Sequence, residues 1–210
     1  MPRTLDLGPF WAALDAVPVQ PDAEALYDGS PDGQLRRTNL QRYLDAVGPT
    51  ADTLLVAEAP GWRGMTNTGI PFTSMRELGQ GAWTGVGASS GPAFLEPSAP
   101  TAPWEASSRV VHAALQGWRG PLPVAWAIFP HHPFVGTDRL TNRTPRPAEV
   151  RAGAPVTLAL LEAIGARRVV AVGRKAQGAL ASAGIEAVAV RHPAQGGATQ
   201  FTAQLAELSG

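Results

Sequence analysis

Four short stretches of the chain are dominated by consecutive apolar residues: TLLVAEA at 53–59, LPVAWAIF at 122–129, RRVVAV at 167–172 and EAVAV at 186–190. None alternates strictly between apolar and polar positions. That is the pattern of strands covered on both faces. Between them the apolar period lengthens to that of helices. Leu40, Tyr43, Leu44 and Val47 fall at i, i+3, i+4 and i+7. Thr38 and Gln41 have capping-box spacing ahead of this stripe, and Gly48-Pro49 closes it. Further helices are expected over ASSRVVHAALQGW at 106–118, from Pro147 to Ile164 with Gly153 and Pro155 as a kink, and from about Lys175 to Ala183. Phe201, Leu205 and Leu208 give a last helix its buried stripe. Residues 1–36 read as an arm, a short helix near Phe10–Ala16 followed by the turn-rich YDGSPDGQ. Residues 61–104 read as a long loop with one short helix from Ser74 to Gln80. A loop of that length inside a compact domain is usually functional or mobile.

Strands alternating with helices predict an α/β fold, a three-layer α/β/α sandwich with a central four-stranded parallel sheet. Ligands bind such sheets beyond the carboxyl ends of the strands. The loops after the first, second and fourth strands are EAPGWRG, PHHPFVG and RHPAQGG. They carry Glu58, His131, His132 and His192, which should converge on one rim. An apolar strand gains nothing from a carboxylate at its tip, so Glu58 is expected to face a site.

The 210 residues suit one domain, an arm over 1–36 and a core over 37–208. At 44% hydrophobic and 16% charged, the chain has an ordinary globular core. Seventeen basic residues balance seventeen acidic ones, so no global field steers it to nucleic acid. A local exception is TDRLTNRTPRPAEVR, which gathers Arg139, Arg143, Arg146 and Arg151. With no cysteine, disulfides, thiolate zinc sites and cysteine-ligated iron–sulfur clusters are excluded. No apolar run is long enough to span a bilayer, and MPRTLDLGPFWAALDAV lacks the apolar segment of a signal peptide. The expectation is a cytoplasmic monomer without membrane contact.

Candidate chemistries narrow by elimination. A metal site is disfavoured because His131 and His132 are neighbours that point apart on extended chain, and no H-E-x-x-H occurs. GRKAQGAL after the third strand is neither a Walker motif nor a dinucleotide fingerprint. It reads as a tight strand–helix turn, with no role for Lys175. No G-x-S-x-G elbow is present. A carboxylate, a histidine and an aromatic ring at Phe72 remain. A carboxylate can orient or deprotonate water, an imidazole can stabilise a leaving anion, and a ring can stack on a flat ligand. Together they suit hydrolysis of an N-glycosidic bond.

These residues resemble the uracil-DNA glycosylase superfamily. AEAPG is similar to its first motif, commonly G-E-x-P-G in one large group, and TGIPF to the T-G-x-P-F element that follows. NRTPRPAE resembles an N-R-T-P-x-x-x-E stretch of its cluster-bearing members, and RHPAQGG the final H-P-S or H-P-A motif. Order and spacing of all four agree. The resemblance implies a DNA glycosylase of base-excision repair that needs no cofactor. It implies that Glu58 handles the attacking water and His192 contacts the uracil carbonyl. Ala59, Pro60 and Gly61 would shape the backbone beside the base, and Phe72 would stack on it. Arg63, Arg143, Arg191, Gln195 and Gly196 would meet DNA.

Three departures accompany the resemblance. The absence of cysteine places the chain in a cluster-free branch. The first motif's glycine is Ala57. The asparagine that reads the uracil edge at the end of the second strand falls on Ala127, or on Trp126 if the register slips by one. A bidentate base contact is worth roughly 1–3 kcal/mol of discrimination, so excision of uracil is expected to be weak or lost. A non-catalytic relative that binds DNA or a nucleobase remains the alternative. An unrelated small-molecule α/β enzyme is a third.

Overall fold

The computed structural model describes residues 3–81, 83 and 94–209. Residue 82 and the part of the long loop at 84–93 therefore lie outside the described residues. Helix α1 (Gly8–Asp15) and the two-residue strand β1 (Ala23–Glu24) precede α2 (Pro31–Val47). Then come β2 (Thr53–Ala57), α3 (Met65–Thr68), α4 (Met75–Gly79) and α5 (Ala106–Leu115). The chain continues through β3 (Val124–Ala127), β4 (His132–Pro133) and α6 (Pro147–Ile164). It ends with β5 (Arg168–Val172), α7 (Arg174–Ser182), β6 (Val188–Val190) and α8 (Ala198–Leu208).

The four apolar stretches form one parallel sheet in the order β3-β2-β5-β6, flanked by helices. Leu54, Leu55 and Val56 are fully buried, as unbroken apolar runs demand of a central strand. On one side α1 packs on α6 and α6 on α7; elsewhere α3, α4, α5 and α8 form a contiguous chain of contacts. The outer edge of β3 is closed by Tyr43, whose phenol oxygen accepts from the Ala125 N–H at 2.6 Å. Pro155 lies inside α6 as one 18-residue helix. Gly153 in that helix sits against the Ile128 carbonyl so closely that a Cβ would collide with it. That approach fixes the path of the chain as it leaves β3.

The first 36 residues depart from the expected arm. Leu7, Phe10, Leu14, Leu26 and Tyr27 are buried core residues, and Phe10 packs edge-on against Trp126 with ring centres 5.1 Å apart. β1 pairs antiparallel with β4, setting Glu24 opposite His132. Helix α2 starts seven residues before the sequence-based boundary. Ser30 is its N-cap, accepting from the Gly33 N–H at 3.0 Å, with Pro31 following it. Thr38 caps nothing: its hydroxyl donates to the Gln34 carbonyl within the helix. No helix among the described residues is long and apolar enough to cross a membrane.

Candidate active site

A cavity of about 530 Å³ opens over the carboxyl ends of all four parallel strands. Ala57 and Glu58 follow from β2, Ala127 from β3, Val172 and Gly173 from β5, and Arg191 and His192 from β6. The size suits a small-molecule or base-sized ligand, for which pockets run roughly 300–1,000 Å³. Of the residues singled out in the sequence, Glu58, Ala59, Pro60, Gly61, Phe72, Ala127, Arg143, Arg191, His192 and Gln195 line it. Arg63 and Gly196 lie outside the lining. Arg63 is exposed with its guanidinium 4.4 Å from the centre of the Trp62 ring, and Gly196 takes a left-handed turn (φ 76°) in open space.

Glu58 leaves β2 where the apolar layer ends. Its side chain is 23% exposed, and Lys175 Nζ stands 3.9 Å from Oε2. Burial pushes its carboxyl pKa up, and the Lys175 charge pulls it part of the way back. His192 is held from the opposite loop. Its Nδ1 accepts the Ala194 N–H at 3.1 Å, which assigns the ring proton to Nε2 in the neutral form. Burial, then Arg191 and Lys175, lower its pKa and favour that neutral form. Gly173 makes this seating possible. A Cβ there would lie 2.9 Å from His192 Cβ, and the φ of 91° suits glycine alone.

Phe72 forms a wall of the cavity from a strained backbone, φ 52° in a non-glycine residue. Such a conformation costs of order 1–3 kcal/mol and persists only when its surroundings over-determine it. Here they do. Thr68 Oγ1 accepts from the Ile70 N–H and donates to the Thr73 carbonyl at 2.8 Å. Tyr27 donates to the Gly69 carbonyl at 2.7 Å, and Gly69 presses on the Arg36 backbone where a Cβ could not fit. The arm thus clamps the TGIPF loop.

The two candidate positions for the asparagine separate cleanly. Ala127 lines the cavity. Trp126 is wholly buried against Phe10, with its indole N–H unpartnered. Ala127 is also in register with Ala57 across β2 and β3.

Several cavity residues carry no role in the sequence reading, although Asn142 opens its NRTPRPAE motif. Glu105, the N-cap of α5, places Oε1 2.9 Å from where a Cβ on Gly61 would stand. Its carboxyl is pushed up by burial, against the Ser108 hydroxyl that donates to it at 2.8 Å. Asn142 turns its Oδ1 toward the Trp62 N–H at 3.1 Å. His132 Nε2 lies 2.9 Å from the Thr141 carbonyl, which can only accept, so it donates there and toward Asn142 Oδ1 at 3.2 Å. Asn142 therefore keeps its NH₂ group beside Gly61. Arg174 and Lys175, on the turn that the sequence left without a role, line the mouth with Arg191.

Arg143 is engaged differently from the phosphate contact expected of it. Its guanidinium bonds Glu149 at 2.7 Å on two nitrogens and Asp22 at 3.1 Å. Arg146 completes the cluster on Asp22. The basic look of this segment came from its own sequence, whereas the balancing Asp22 arrives from the arm. His131 is likewise structural: Nδ1 accepts from the Leu26 N–H, and burial lowers its pKa to about 4. Among the described residues no group of three or more metal-ligating side chains comes together.

A family model for the uracil DNA glycosylase superfamily matches residues 44–206. The crystal structure of wild-type Pedobacter heparinus SMUG2 superposes with a TM-score of 0.67. The match covers 95% of this chain and 94% of that one at 12% identity, a likeness of fold. No curated protein matches the chain in sequence.

Proposed function

The chain belongs to the uracil DNA glycosylase superfamily, and we propose that it is a DNA glycosylase that hydrolyses the N-glycosidic bond of a base flipped out of the strand. The observation that carries this reading is that Glu58 and His192 line one cavity, beside the ring of Phe72. Glu58, as carboxylate, orients and deprotonates a water for attack on C1′. The departing base takes the bonding electron pair and becomes an anion. His192, with its proton on Nε2, donates to a carbonyl of that anion. Phe72 stacks on the base, a contact worth about 1–3 kcal/mol.

Arg174, Lys175 and Arg191 supply the positive rim that a neutral chain needs locally for phosphate. Gln195, exposed at the tip of the last loop with φ 54°, stands where a wedge could enter the stack. Ala127 favours a second reading, a relative that binds DNA or a nucleobase without cleaving. Incubation with oligonucleotides carrying different damaged bases decides between the two: release of a base supports the enzyme, and binding without release supports the second reading.

A further inference from the structure

Of the seventeen lysine and arginine side chains in the protein, Lys175 alone is lysine. Its Nζ lies 3.9 Å from Glu58 Oε2 and donates to Thr144 Oγ1 at 2.5 Å, at the wall of the candidate active site. An arginine would pair with Glu58 or with a phosphate at least as well, through its planar fork. Everywhere else in this chain arginine does such work. What arginine cannot do is give up its proton and act as a nucleophile, which a lysine amine can. The side chain is also 68% exposed, so a substrate can reach it.

We propose that Lys175 is the nucleophile of an abasic-site lyase activity, in which its amine attacks the deoxyribose left after base loss. The inference takes from the proposed function only the position of C1′ near Glu58. Ring opening of the abasic sugar exposes an aldehyde at C1′. Glu58 takes a proton from the Lys175 ammonium, and the freed lone pair adds to C1′. Loss of water gives a protonated imine. Glu58, having passed its first proton to solvent, removes a proton from C2′. The C2′–H electrons form the C2′=C3′ double bond while the C3′–O bond breaks. The downstream strand leaves with a 5′-phosphate. Water then hydrolyses the imine, returning Lys175 and an unsaturated aldehyde. No oxidant, metal or cofactor enters the balance.

The test uses the full chain and an oligonucleotide with a preformed abasic deoxyribose, so no base excision is required. Sodium borohydride reduces an imine to a stable amine and traps the protein on DNA. The expected result is a covalent adduct that peptide mapping places on Lys175, with strand scission at least tenfold faster than without protein. A tetrahydrofuran abasic analogue, which has no aldehyde, should give no adduct. Lys175→Arg, checked for folding by its melting curve, should lose the adduct at least tenfold. Mapping on the unmodified protein keeps the test decisive if that variant does not fold. No adduct, an adduct on the N-terminal amine, or full trapping by folded Lys175→Arg overturns the proposal. An adduct without excision of any damaged base would sink the glycosylase reading and leave this one standing. Excision without an adduct would do the reverse.

Discussion

Ala57 and Ala127 are register partners on adjacent parallel strands, and both line the cavity at its floor. The resemblance had placed a glycine and an asparagine of the superfamily at these positions. The cavity therefore presents two methyl groups at these positions. Ala127→Asn is expected to raise excision of uracil by about ten- to a hundredfold, the worth of one bidentate contact. Trp126→Asn, the alternative register, should give no gain. It should instead lower stability by about 3–5 kcal/mol, because it empties a fully buried site against Phe10. Single-turnover excision and denaturant melts of both variants check this pair.

The acid limb of the pH–rate profile should belong to Glu58. The proposed mechanism uses its carboxylate, and burial raises its pKa from the ordinary 4.5. Excision should thus fall as pH drops through a value above 4.5. Lys175 lowers the Glu58 pKa, so Lys175→Met should move that limb to higher pH. Glu58→Gln should leave a low residual rate with no such limb.

DNA affinity should depend on the cavity rim and not on Arg143. Replacing Arg174 or Arg191 by alanine should weaken binding to all sequences alike and reduce the salt slope by about one. Arg143→Ala should leave the slope unchanged, since its guanidinium is already bonded to Asp22 and Glu149. A reduced slope in Arg143→Ala would return that segment to the interface.

Glu149 offers a stability test with a definite sign. Burial raises its pKa, but hydrogen bonds from Arg143 and the Arg146 N–H outweigh it and hold the carboxyl low. A depressed pKa stabilises the fold above the ordinary 4.5 and ceases to as pH falls through the folded value. Glu149→Gln leaves Arg143 short of its buried partner and should cost about 3 kcal/mol at neutral pH. The deficit should narrow below pH 4.5. Melting curves across pH read it directly.

The sheet was legible because burial on both faces leaves an unbroken apolar run, and Leu54–Val56 shows that signature most clearly. Glu58 was legible because it breaks such a run at a strand tip, and His192 because it lies in the loop just after the last strand. The arm was not. β1 holds two residues, too few for a period, and its meaning comes from pairing with His132–Pro133. The true cap of α2, Ser30-Pro31, lay inside a segment that reads equally well as a turn. Lys175 and Glu105 reach the site from distant positions in sequence, and Asn142 opens a motif whose place in the cavity the sequence does not give. No local pattern announces that Lys175 will meet Glu58, or that Asp22 will neutralise Arg143.

In the proposed function Glu58 and His192 act together on a flipped base in one cavity. It is tested most directly by a time course of base release from oligonucleotides carrying uracil, hypoxanthine, xanthine or a mismatch, followed by alkaline cleavage. Wild type, Glu58→Gln and His192→Ala are compared under single-turnover conditions. Release of at least one of these bases by the wild type is expected. Each variant should be slower by about a hundredfold or more, the usual worth of a general base or of a donor to a developing anion. No release of any base, or rates unchanged in both variants, would contradict it.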